Sequence, residues 1–278
     1  MKTFIHIITT RFNVPTHSWN ITRDGAAPLS EEWHKHRFEI FQKFTLPSFR
    51  NQNNQNFVWL IFFDVNTDSK YKKIIHNIHK EYPKFTPVFI DNFDQMQPWI
   101  IDFIKTKKEK FQFVITSDID NDDLLHKNFT ETVQQLCKPI HDLVIDVRTG
   151  LQLVIDGKKA DAYFVNMAAS PFVSLIEEIE NAGTVIKEPY HSRYRQYPNY
   201  TYFDKHPLFI QFVHHYNMVN NVRTENKRVF CVDYSSFGMT QPIEFSISPI
   251  STFIHNTKRK AKLAVNILLE TLKINPAK

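Results

Sequence analysis

Four aspartates lie within six positions, Asp118, Asp120, Asp122 and Asp123, directly after the apolar stretch Phe111–Thr116. Five of the six residues in that stretch are apolar or β-branched, which predicts a short buried strand. Like charges this close repel one another, and such a cluster persists most readily when a bound cation offsets the repulsion. Carboxylate oxygens suit hard ions, and Mg²⁺ or Mn²⁺ is commonly shared with a phosphate-bearing substrate. The pattern therefore predicts a metal or phosphate site at the carboxyl end of a strand.

The spacing of the four acids also bears on two alternative roles for the cluster. An EF-hand loop starting at Asp118 would need glycine at its sixth position and glutamate at its twelfth, where the chain has Asp123 and Phe129. That kind of calcium site is excluded. A solvated turn that caps a helix beginning near Leu124 is the plainer alternative, because Asp and Asn are favoured N-caps. One such residue suffices for a cap, so four acids favour the metal or phosphate site.

Polar side chains also follow two other predicted strands. Arg11 and Asn13 come after the strand Thr3–Thr10, and Asp64 comes after the strand Phe57–Phe63. Ligands in open α/β sheets gather at the carboxyl ends of strands, so these three residues are candidates for binding a nucleotide base or phosphate. An arginine with no special role is the alternative for Arg11.

A long aromatic and basic segment, Glu188–His206, contains the sequence HSRYRQYPNYTYF. This composition suits a flexible lid over a sugar or diphosphate, because the segment supplies the His191 imidazole, the Arg193 guanidinium and several tyrosine rings. A surface loop packed by its own tyrosines fits the same composition. The two interpretations stay open at this point.

A predicted helix over Pro207–Asn221 carries His214 and Asn217 one turn apart, and Arg223 follows its end. These three side chains are expected to close the diphosphate side of the site, because they can reach a common region. A buried helix histidine held by a carbonyl is the alternative for His214.

Strands separated by helices dominate the first half of the chain and predict the fold class. This alternation favours βαβ units and an α/β fold with a mixed, mainly parallel, Rossmann-like sheet flanked by helices. Beyond Ile140 the order becomes mixed, with a hairpin predicted through Arg148–Gly150 and a helix predicted over 171–181. The predicted helices and strands of the first half are: helix from Ser30 to Pro47, helix 69–82, strand 86–91, helix 94–108, strand 111–116 and helix 124–137.

Composition limits the classes of protein that the chain can represent. The sequence has 278 residues, of which 42% are hydrophobic and 25 are phenylalanine, ample for a folded core. With 34 basic and 29 acidic residues the net charge is +5, short of a nucleic-acid footprint but compatible with anionic ligands. Five glycines allow neither a G-x-G-x-x-G nor a P-loop motif, so classical dinucleotide and P-loop sites are excluded.

The chain is expected to form a domain over residues 1–235 and an extension over 236–278. That extension ends in a basic amphipathic helix, 258–273, expected to dock on the domain through its apolar side. Peripheral membrane contact through Lys258, Arg259, Lys260 and Lys262 is the alternative. Two cysteines and no signal peptide or membrane span predict a cytoplasmic location, with the inner face of the membrane as the alternative.

Several stretches, in order, resemble one family over about four fifths of the chain. They are TRFN (10–13), EEWHKHRFEIFQKFTLPSFRNQNNQNFVWLIFFD (31–64), IDNDD (119–123), SPFVSLIE (170–177) and IQFVHHYNMVNNVR (210–223). The family is the rhamnosyltransferase family of bacterial GT-A glycosyltransferases, and the LPS-x-x-x-Q region and the D-x-D-D cluster are its most specific stretches. The family tends to carry Thr-Arg before its acidic cluster where this chain has Ser117-Asp118, a departure that bears on how the donor is held.

The resemblance implies a GT-A fold, a nucleotide-sugar donor and a divalent cation, Mn²⁺ or Mg²⁺, bridging the donor diphosphate. It implies a saccharide, glycan or lipid-linked acceptor. The leading interpretation is a glycosyltransferase that inverts the anomeric carbon. Asp120 and Asp122 match the D-x-D pair, with Asp122 as metal ligand and Asp120 facing the ribose or the metal. Glu177, in SPFVSLIE, is the candidate general base that accepts the acceptor proton. A solvated acidic helix face with Glu178 and Glu180 is the alternative for Glu177.

Two other functions remain open on the sequence. A metal-dependent phosphatase would use Asp118 and Asp120 as nucleophile and acid. A non-catalytic carbohydrate-binding protein would hold Ca²⁺ with the same acids. Metal-dependent affinity for nucleoside diphosphates is expected only of the glycosyltransferase.

Overall fold

The computed structural model describes residues 4–16, 29–213, 222–240 and 245–274, which include two β-sheets. The first sheet has seven strands, of which only β9 runs against the others. A mixed, mainly parallel sheet is the architecture that the sequence predicts. In spatial order the strands are β10 (Asn199–Phe203), β6 (Leu143–Val147), β9 (Val173–Glu178), β4 (Phe113–Asp118), β1 (Phe4–Arg11), β2 (Val58–Asp64) and β3 (Phe85–Ile90).

Helices cover both faces of this sheet. Successive strand residues point to opposite faces, so neighbouring side chains of one strand enter two different cores. Ile8 faces the core under α1, α2, α3 and α5, whereas Ile7 faces the core under α4. Both isoleucines are fully buried. The helices are α1 (Glu31–Ile40), α2 (Leu46–Arg50), α3 (Ser69–Glu81), α4 (Met96–Lys105), α5 (Phe129–Leu136) and α6 (Pro249–Ile274).

The second sheet is smaller and is built mainly from the later part of the chain. Its spatial order is β12, β8, β7, β11, β5, and β13 pairs with β8. Leu151 and Phe212 pack from it against Phe44, which closes a separate core between this sheet and the helix that follows α1. Its strands are β5 (Leu124–Leu125), β7 (Thr149–Asp156), β8 (Lys159–Asn166), β11 (Phe209–Val213), β12 (Arg228–Val229) and β13 (Ser246–Ile247).

The sequence predicts that the first helix ends at Pro47, but in the structure the helical chain continues to Arg50. Ser30 caps α1 as expected, accepting from the Trp33 backbone N–H at 3.3 Å. The chain then continues through a π-helical stretch, Phe41–Thr45, directly into α2. Pro47 lies in the first turn of α2, directly after the π-helical stretch, and the helix continues past it to Arg50.

The predicted hairpin through Arg148–Gly150 is wrong. Strand β6 ends at Val147 and β7 begins at Thr149, but the two strands belong to different sheets. Gly150 is required for close approach, since a Cβ there would lie 2.2 Å from the Phe209 ring. Glycine occurs at position 150 because the Phe209 ring packs against it, and no hairpin turn is formed there.

Two predicted helices are strands in the structure. Residues 171–181 contain β9, and the described part of 207–221 contains β11. Short apolar runs such as these do not distinguish a buried strand from a buried helix by periodicity. The predicted helix from Leu124 begins only at Phe129, after β5.

The segment Glu188–His206 is packed on the sheet. Tyr194 is 1% exposed and its hydroxyl donates to the Val185 carbonyl at 2.6 Å. Residues 191–196 form a 3-10 turn, and β10 follows at the sheet edge. The interpretation as a loop packed by its own tyrosines fits this arrangement.

The chain end differs from expectation in one respect. Val265, Leu268 and Leu269, which are expected to dock, are 55%, 60% and 51% exposed on α6. Among the described residues, no helix is both long and apolar enough to cross a membrane. The domain division at residue 235 stays a prediction, although Phe237 and Met239 just beyond it are buried in the second core.

Candidate active site

The acidic loop, Asp118–Asp123, connects the two sheets. Asp118 is the last residue of β4, and Asp123 immediately precedes β5. Thr9 on β1 donates its hydroxyl to the Asp118 carboxylate at 2.6 Å. The four predicted aspartates therefore lie at the carboxyl edge of the parallel strands, where α/β sheets bind ligands.

Arg37 holds the middle of the acidic loop. Its Nη1 donates to the Asp122 carboxylate at 2.5 Å and to the Asn121 side-chain carbonyl at 2.9 Å. Asn121 in turn donates to the backbone carbonyls of Arg11 and Phe12 at 3.1 and 2.8 Å. Because Arg37 and Asp122 are 6% and 2% exposed, this is a buried ion pair that fixes the loop on α1 and on the end of β1.

Asp120 differs from Asp122 because its side chain is exposed to solvent. Desolvation by the surrounding protein nevertheless raises the pKa of Asp120 to about 6, and repulsion from Asp122 and Asp118 adds to the shift. Arg11 and Arg37 oppose it. At Asp120 the loop thus presents an exposed carboxylate whose ionised form is disfavoured, and a bound cation would relieve the repulsion from Asp122 and Asp118.

The other end of the loop contacts the second sheet. The Phe212 backbone N–H donates to the Asp123 carboxylate at 3.2 Å. Burial, with repulsion from Asp122 and Asp120, raises the pKa of Asp123 well above its usual value. Asp123 therefore ties β11 to the loop and is 1% exposed, which suits a structural part.

The LPS-x-x-x-Q stretch lies beneath the chain that leaves the acidic loop. Thr45 donates its hydroxyl to the Asn121 carbonyl at 3.1 Å, and Ser48 accepts from the Leu125 N–H at 3.1 Å. The Gln52 amide donates to the His126 carbonyl at 2.9 Å, and its own oxygen accepts from Thr130 N–H at 3.1 Å. The π-helical turn and α2 therefore hold the loop from below.

A pocket of about 270 Å³ lies beside the loop, at the carboxyl ends of β1 and β2. Asn13 donates to His34 Nε2 at 2.9 Å and to the Thr67 hydroxyl at 3.0 Å, and it accepts from the Asp64 N–H at 3.1 Å. It is 1% exposed and organises the pocket wall. The pocket is lined by Asn13, Leu29, Glu31, His34, Asp64, Asn66, Thr67, Asp68 and Tyr71. Asn13 and Asp64 thus meet, as the strand order predicts.

Arg11 and His191 lie near the acidic loop. Burial lowers the pKa of Arg11, whereas the carboxylates of Asp120 and Asp118 raise it. The Arg11 guanidinium also lies over the Phe93 ring, 4.9 Å from its centroid. The surrounding protein lowers the pKa of His191, and Asp120 opposes that shift. Both side chains therefore interact electrostatically with the exposed carboxylate of Asp120.

Two other predicted residues lie elsewhere. Arg193 lines a separate cavity with Asp142, Glu188 and Tyr197. The Arg223 backbone N–H donates at 2.7 Å to the Gln152 side chain on the second sheet. The guanidinium of Arg223 lies 3.6 Å from the Met167 sulfur. Within the described part of the chain, these contacts place both arginines away from the acidic loop.

His214 and Asn217 lie outside the described residues. The helix expected to carry them is replaced, in its described part, by β11.

Glu177 does not fit the predicted role of general base. It lies on β9 opposite Val114, four residues before Asp118 along β4, a distance of about 13 Å. Its carboxylate is fully buried and accepts from Gly183 N–H, Thr184 N–H and Lys187 Nζ at 2.9, 2.8 and 2.9 Å. The predicted orientation depends on a helix that is a strand here. Glu177 anchors the segment after β9 at the opposite edge of the sheet.

The donor atoms of the loop fit one kind of metal site. Among the described residues, no three His, Cys, Asp or Glu side chains converge as a ready-made metal cage. Asp122 is already paired with Arg37, so Asp120 is better placed than Asp122 to meet a cation. Mg²⁺ is commonly bound by one or two protein carboxylates, with phosphate oxygens of the substrate as further ligands. The residues present fit that arrangement.

Arg37, Asn121 and Thr9 are not among the sequence-based candidates for the site. The helical spacing of Arg37 with Trp33 and Phe41 places it only at the edge of an apolar face. The spacing cannot reveal a partner 85 positions away.

The sequence matches a protein family over residues 6–226, the family described as "Putative rhamnosyl transferase". The chain belongs to this family. The match includes β1 from His6 onward, the acidic loop and the strands around it. A comparison with curated proteins found no match.

The chain has a distant structural similarity to several solved structures. One is TarS residues 1–349 of S. aureus, with 12% sequence identity and a TM-score of 0.41. The similarity covers 75% of this chain and 60% of the TarS chain. A second, from Desulfovibrio desulfuricans G20, is described as a "putative nucleotide-diphospho-sugar transferase", with 10% identity and a TM-score of 0.36 over 77% and 83% of the two chains. A third is the inositol-1-phosphate CTP transferase of T. maritima, with 10% identity and a TM-score of 0.36 over 75% and 89%. The chain spans about three fifths of the TarS fragment. Likenesses this low do not bear on what the chain binds.

Proposed function

We propose that the protein is a metal-dependent glycosyltransferase that moves a sugar, rhamnose by its family, from a nucleoside-diphosphate donor to a saccharide or glycan acceptor. The observation that carries the proposal is the pair of adjacent subsites at one sheet edge. The Asn13 pocket offers amide, imidazole and carboxylate groups, and the acidic loop offers Asp120 beside Arg11. Family membership gives the reaction class.

The two subsites match the two halves of such a donor. The segment leaving β1 carries Arg11 toward the acidic loop and Asn13 into the pocket, two residues apart. A base in the pocket can donate its N–H groups to a carboxylate such as Asp64, and Arg11 can pair with a phosphate. Asn121 helps to fix the spacing between the subsites, because it donates to the backbone carbonyls of Arg11 and of Phe12, the residue after it.

A divalent cation bound at Asp120 would offset the negative charge that develops on the departing diphosphate. The chain's own part is to fix the loop on either side of Asp120 and the backbone of Arg11. Thr9 binds Asp118, Arg37 binds Asp122, and Asn121 binds the Arg11 carbonyl. The proposal includes inversion at the anomeric carbon, and the configuration of the product, read by NMR, tests that step.

The aspartyl-phosphate alternative is less compatible with the site. Its nucleophile, Asp118, is a strand residue that accepts the Thr9 hydroxyl at 2.6 Å. Its partner Asp120 is exposed and is repelled by Asp118. Arg11 is a cation near this nucleophile, and in the proposed glycosyltransferase it pairs with a phosphate of the donor.

Isothermal titration with uridine, thymidine, guanosine and cytidine diphosphates, with Mn²⁺ and with a chelator, tests the proposal. We expect at least one nucleotide to bind at least about tenfold more tightly with Mn²⁺. Equal affinity with and without metal for every nucleotide would reject the metal-dependent donor site. Sugars linked to the nucleotide that binds are then tested as donors, and metal-dependent hydrolysis or transfer identifies the sugar.

A further inference from the structure

Helix α6 packs on the domain through its polar side. Asn256 accepts from the Arg228 N–H at 2.9 Å and donates to the Arg228 carbonyl at 3.0 Å. His255 donates to the Asn226 carbonyl at 3.0 Å, and Arg259 Nε donates to a neighbouring backbone carbonyl at 2.9 Å. Thr252 is 2% exposed. The spacing of 252, 255, 256 and 259 places all four on one side of the helix.

The opposite side of α6 is apolar and faces solvent. Ile250, Phe253 and Ile254 are 75%, 73% and 47% exposed, and Val265 and Leu268 continue the same stripe. An amphipathic helix of a globular protein normally buries its apolar side and exposes its polar one. Here the orientation is reversed, and contiguous exposed apolar surface of this kind marks an interaction site.

A cavity of about 470 Å³ extends this apolar surface onto the domain. Phe230, which is 65% exposed, and Phe253 lie in its wall. Lys227, Arg259 and Lys260 belong to the same lining. Aromatic rings beside cationic side chains suit a ligand with an apolar body and an anionic head.

We propose that the apolar side of α6, together with the Phe230 cavity, binds the surface of an anionic lipid bilayer. Lys258 and Lys260 flank the apolar stripe on its two sides, by helical spacing, and Lys262 follows Lys258 one turn later. Long basic side chains at the edges of an apolar stripe can reach lipid phosphates while the stripe enters the interface.

Charge complementarity favours a bilayer over a second copy of the chain. The sequence of α6 contains five basic residues and one acid, Glu270. A paired copy would bring the same cations and a single acid, so the cluster Lys258–Lys262 would meet little opposite charge. An anionic leaflet supplies it, because basic residues near such a surface are attracted to its potential. This inference does not depend on the proposed donor site.

Co-sedimentation of the full chain with vesicles tests the inference. Vesicles of phosphatidylcholine mixed with phosphatidylglycerol are compared with vesicles of phosphatidylcholine alone. We expect binding to the anionic vesicles that weakens as salt is raised. Ile250→Ser with Phe253→Ser, and separately Lys258→Glu with Lys260→Glu and Lys262→Glu, should each lower the partition coefficient at least about tenfold.

The matched control changes the same charge elsewhere. Lys105→Glu with Lys108→Glu and Lys110→Glu alters three exposed lysines near the end of α4. This control should keep most of the vesicle binding, and its loss to the same degree would show attraction by net charge and overturn the inference. Wild-type failure to bind anionic vesicles, with a concentration-dependent dimer that Ile250→Ser with Phe253→Ser abolishes, would assign the surface to a second copy instead.

Discussion

The guanidinium of Arg37 on α1 donates a 2.5 Å hydrogen bond to the carboxylate of Asp122 in the acidic loop, and both side chains are buried. The two residues are 85 positions apart, so the fold brings them together. A buried pair of this kind is weak evidence for stability by itself, but removing one partner leaves a buried charge uncompensated. Asp122, the sequence-based choice for metal ligand, therefore has a structural part as well.

Asp122→Ala is expected to destabilise the protein by about 3 to 5 kcal/mol. The acidic cluster alone suggests the opposite, because deleting one carboxylate relieves repulsion from its neighbours. The buried Arg37 decides the sign, since its guanidinium would lose the carboxylate that it contacts directly. Urea unfolding followed by circular dichroism measures the change.

Arg37→Met combined with Asp122→Leu is the control for that variant. Replacing both partners with apolar residues of similar volume is often neutral, so the double variant should recover most of the lost stability. An Asp122→Ala protein that unfolds at the wild-type urea concentration would contradict the assigned ion pair.

The first half of the fold is predictable because its signals are local. The Ile7–Ile8 pair shows the alternation of a strand buried on both faces, and Ser30 caps a helix as its type predicts. The meeting of Asn13 and Asp64 follows from parallel strand order alone, because both lie at carboxyl ends.

The later part of the chain is less predictable because its strands are short apolar runs. Phe209–Val213 and Val173–Glu178 are buried strands whose sequences fit a helix equally well. The helix interpretation places Glu177 in the site, and the strand moves it to the opposite edge. Arg37 cannot be assigned from the sequence, since its partners lie far along the chain.

Asp120→Asn is expected to remove metal-dependent nucleotide binding without lowering stability. Its side chain is exposed, and surface substitutions usually change stability by about 0.5 kcal/mol or less. The pKa of Asp120 is about 6, so protons should compete with the cation, and nucleotide affinity in Mn²⁺ should weaken as pH falls below about 6.

Titration calorimetry at several pH values measures this dependence. Asp102→Asn, which alters an exposed acid on α4, is the control and should bind as the wild type does. Unchanged nucleotide affinity in Asp120→Asn would remove this residue from the site.

Glu177→Gln is expected to lower stability by about 1 to 3 kcal/mol while turnover of the folded enzyme stays near that of the wild type. The neutral amide keeps the size of the side chain but loses the charged hydrogen bonds to Lys187 and two backbone N–H groups. Thermal unfolding and an initial-rate assay well below the melting temperature separate the two effects. A hundredfold loss of turnover with an unchanged melting temperature would restore Glu177 as the general base.

His6 provides a pH dependence of stability that is independent of the site. Gln134 donates to His6 Nδ1 at 3.2 Å, so the imidazole proton lies on Nε2, which donates to the Ser117 hydroxyl at 3.0 Å. Burial lowers the pKa of His6 to about 3, from about 6.5 in the unfolded chain. The folded state therefore requires the neutral ring, because protonation would remove the acceptor that Gln134 uses.

The sign of the effect follows from the depressed pKa of His6 in the folded state. The contribution of His6 to stability is fully present above about pH 6.5 and is lost as pH falls from there toward 3, because the unfolded chain binds the proton first. Between about pH 7.5 and pH 5 the free energy of unfolding should fall by about 2 kcal/mol from this residue alone. Urea unfolding of the wild type and of His6→Gln across this range isolates the contribution, since carboxylates titrate alike in both. Parallel pH profiles for the two proteins would show that His6 does not titrate on unfolding.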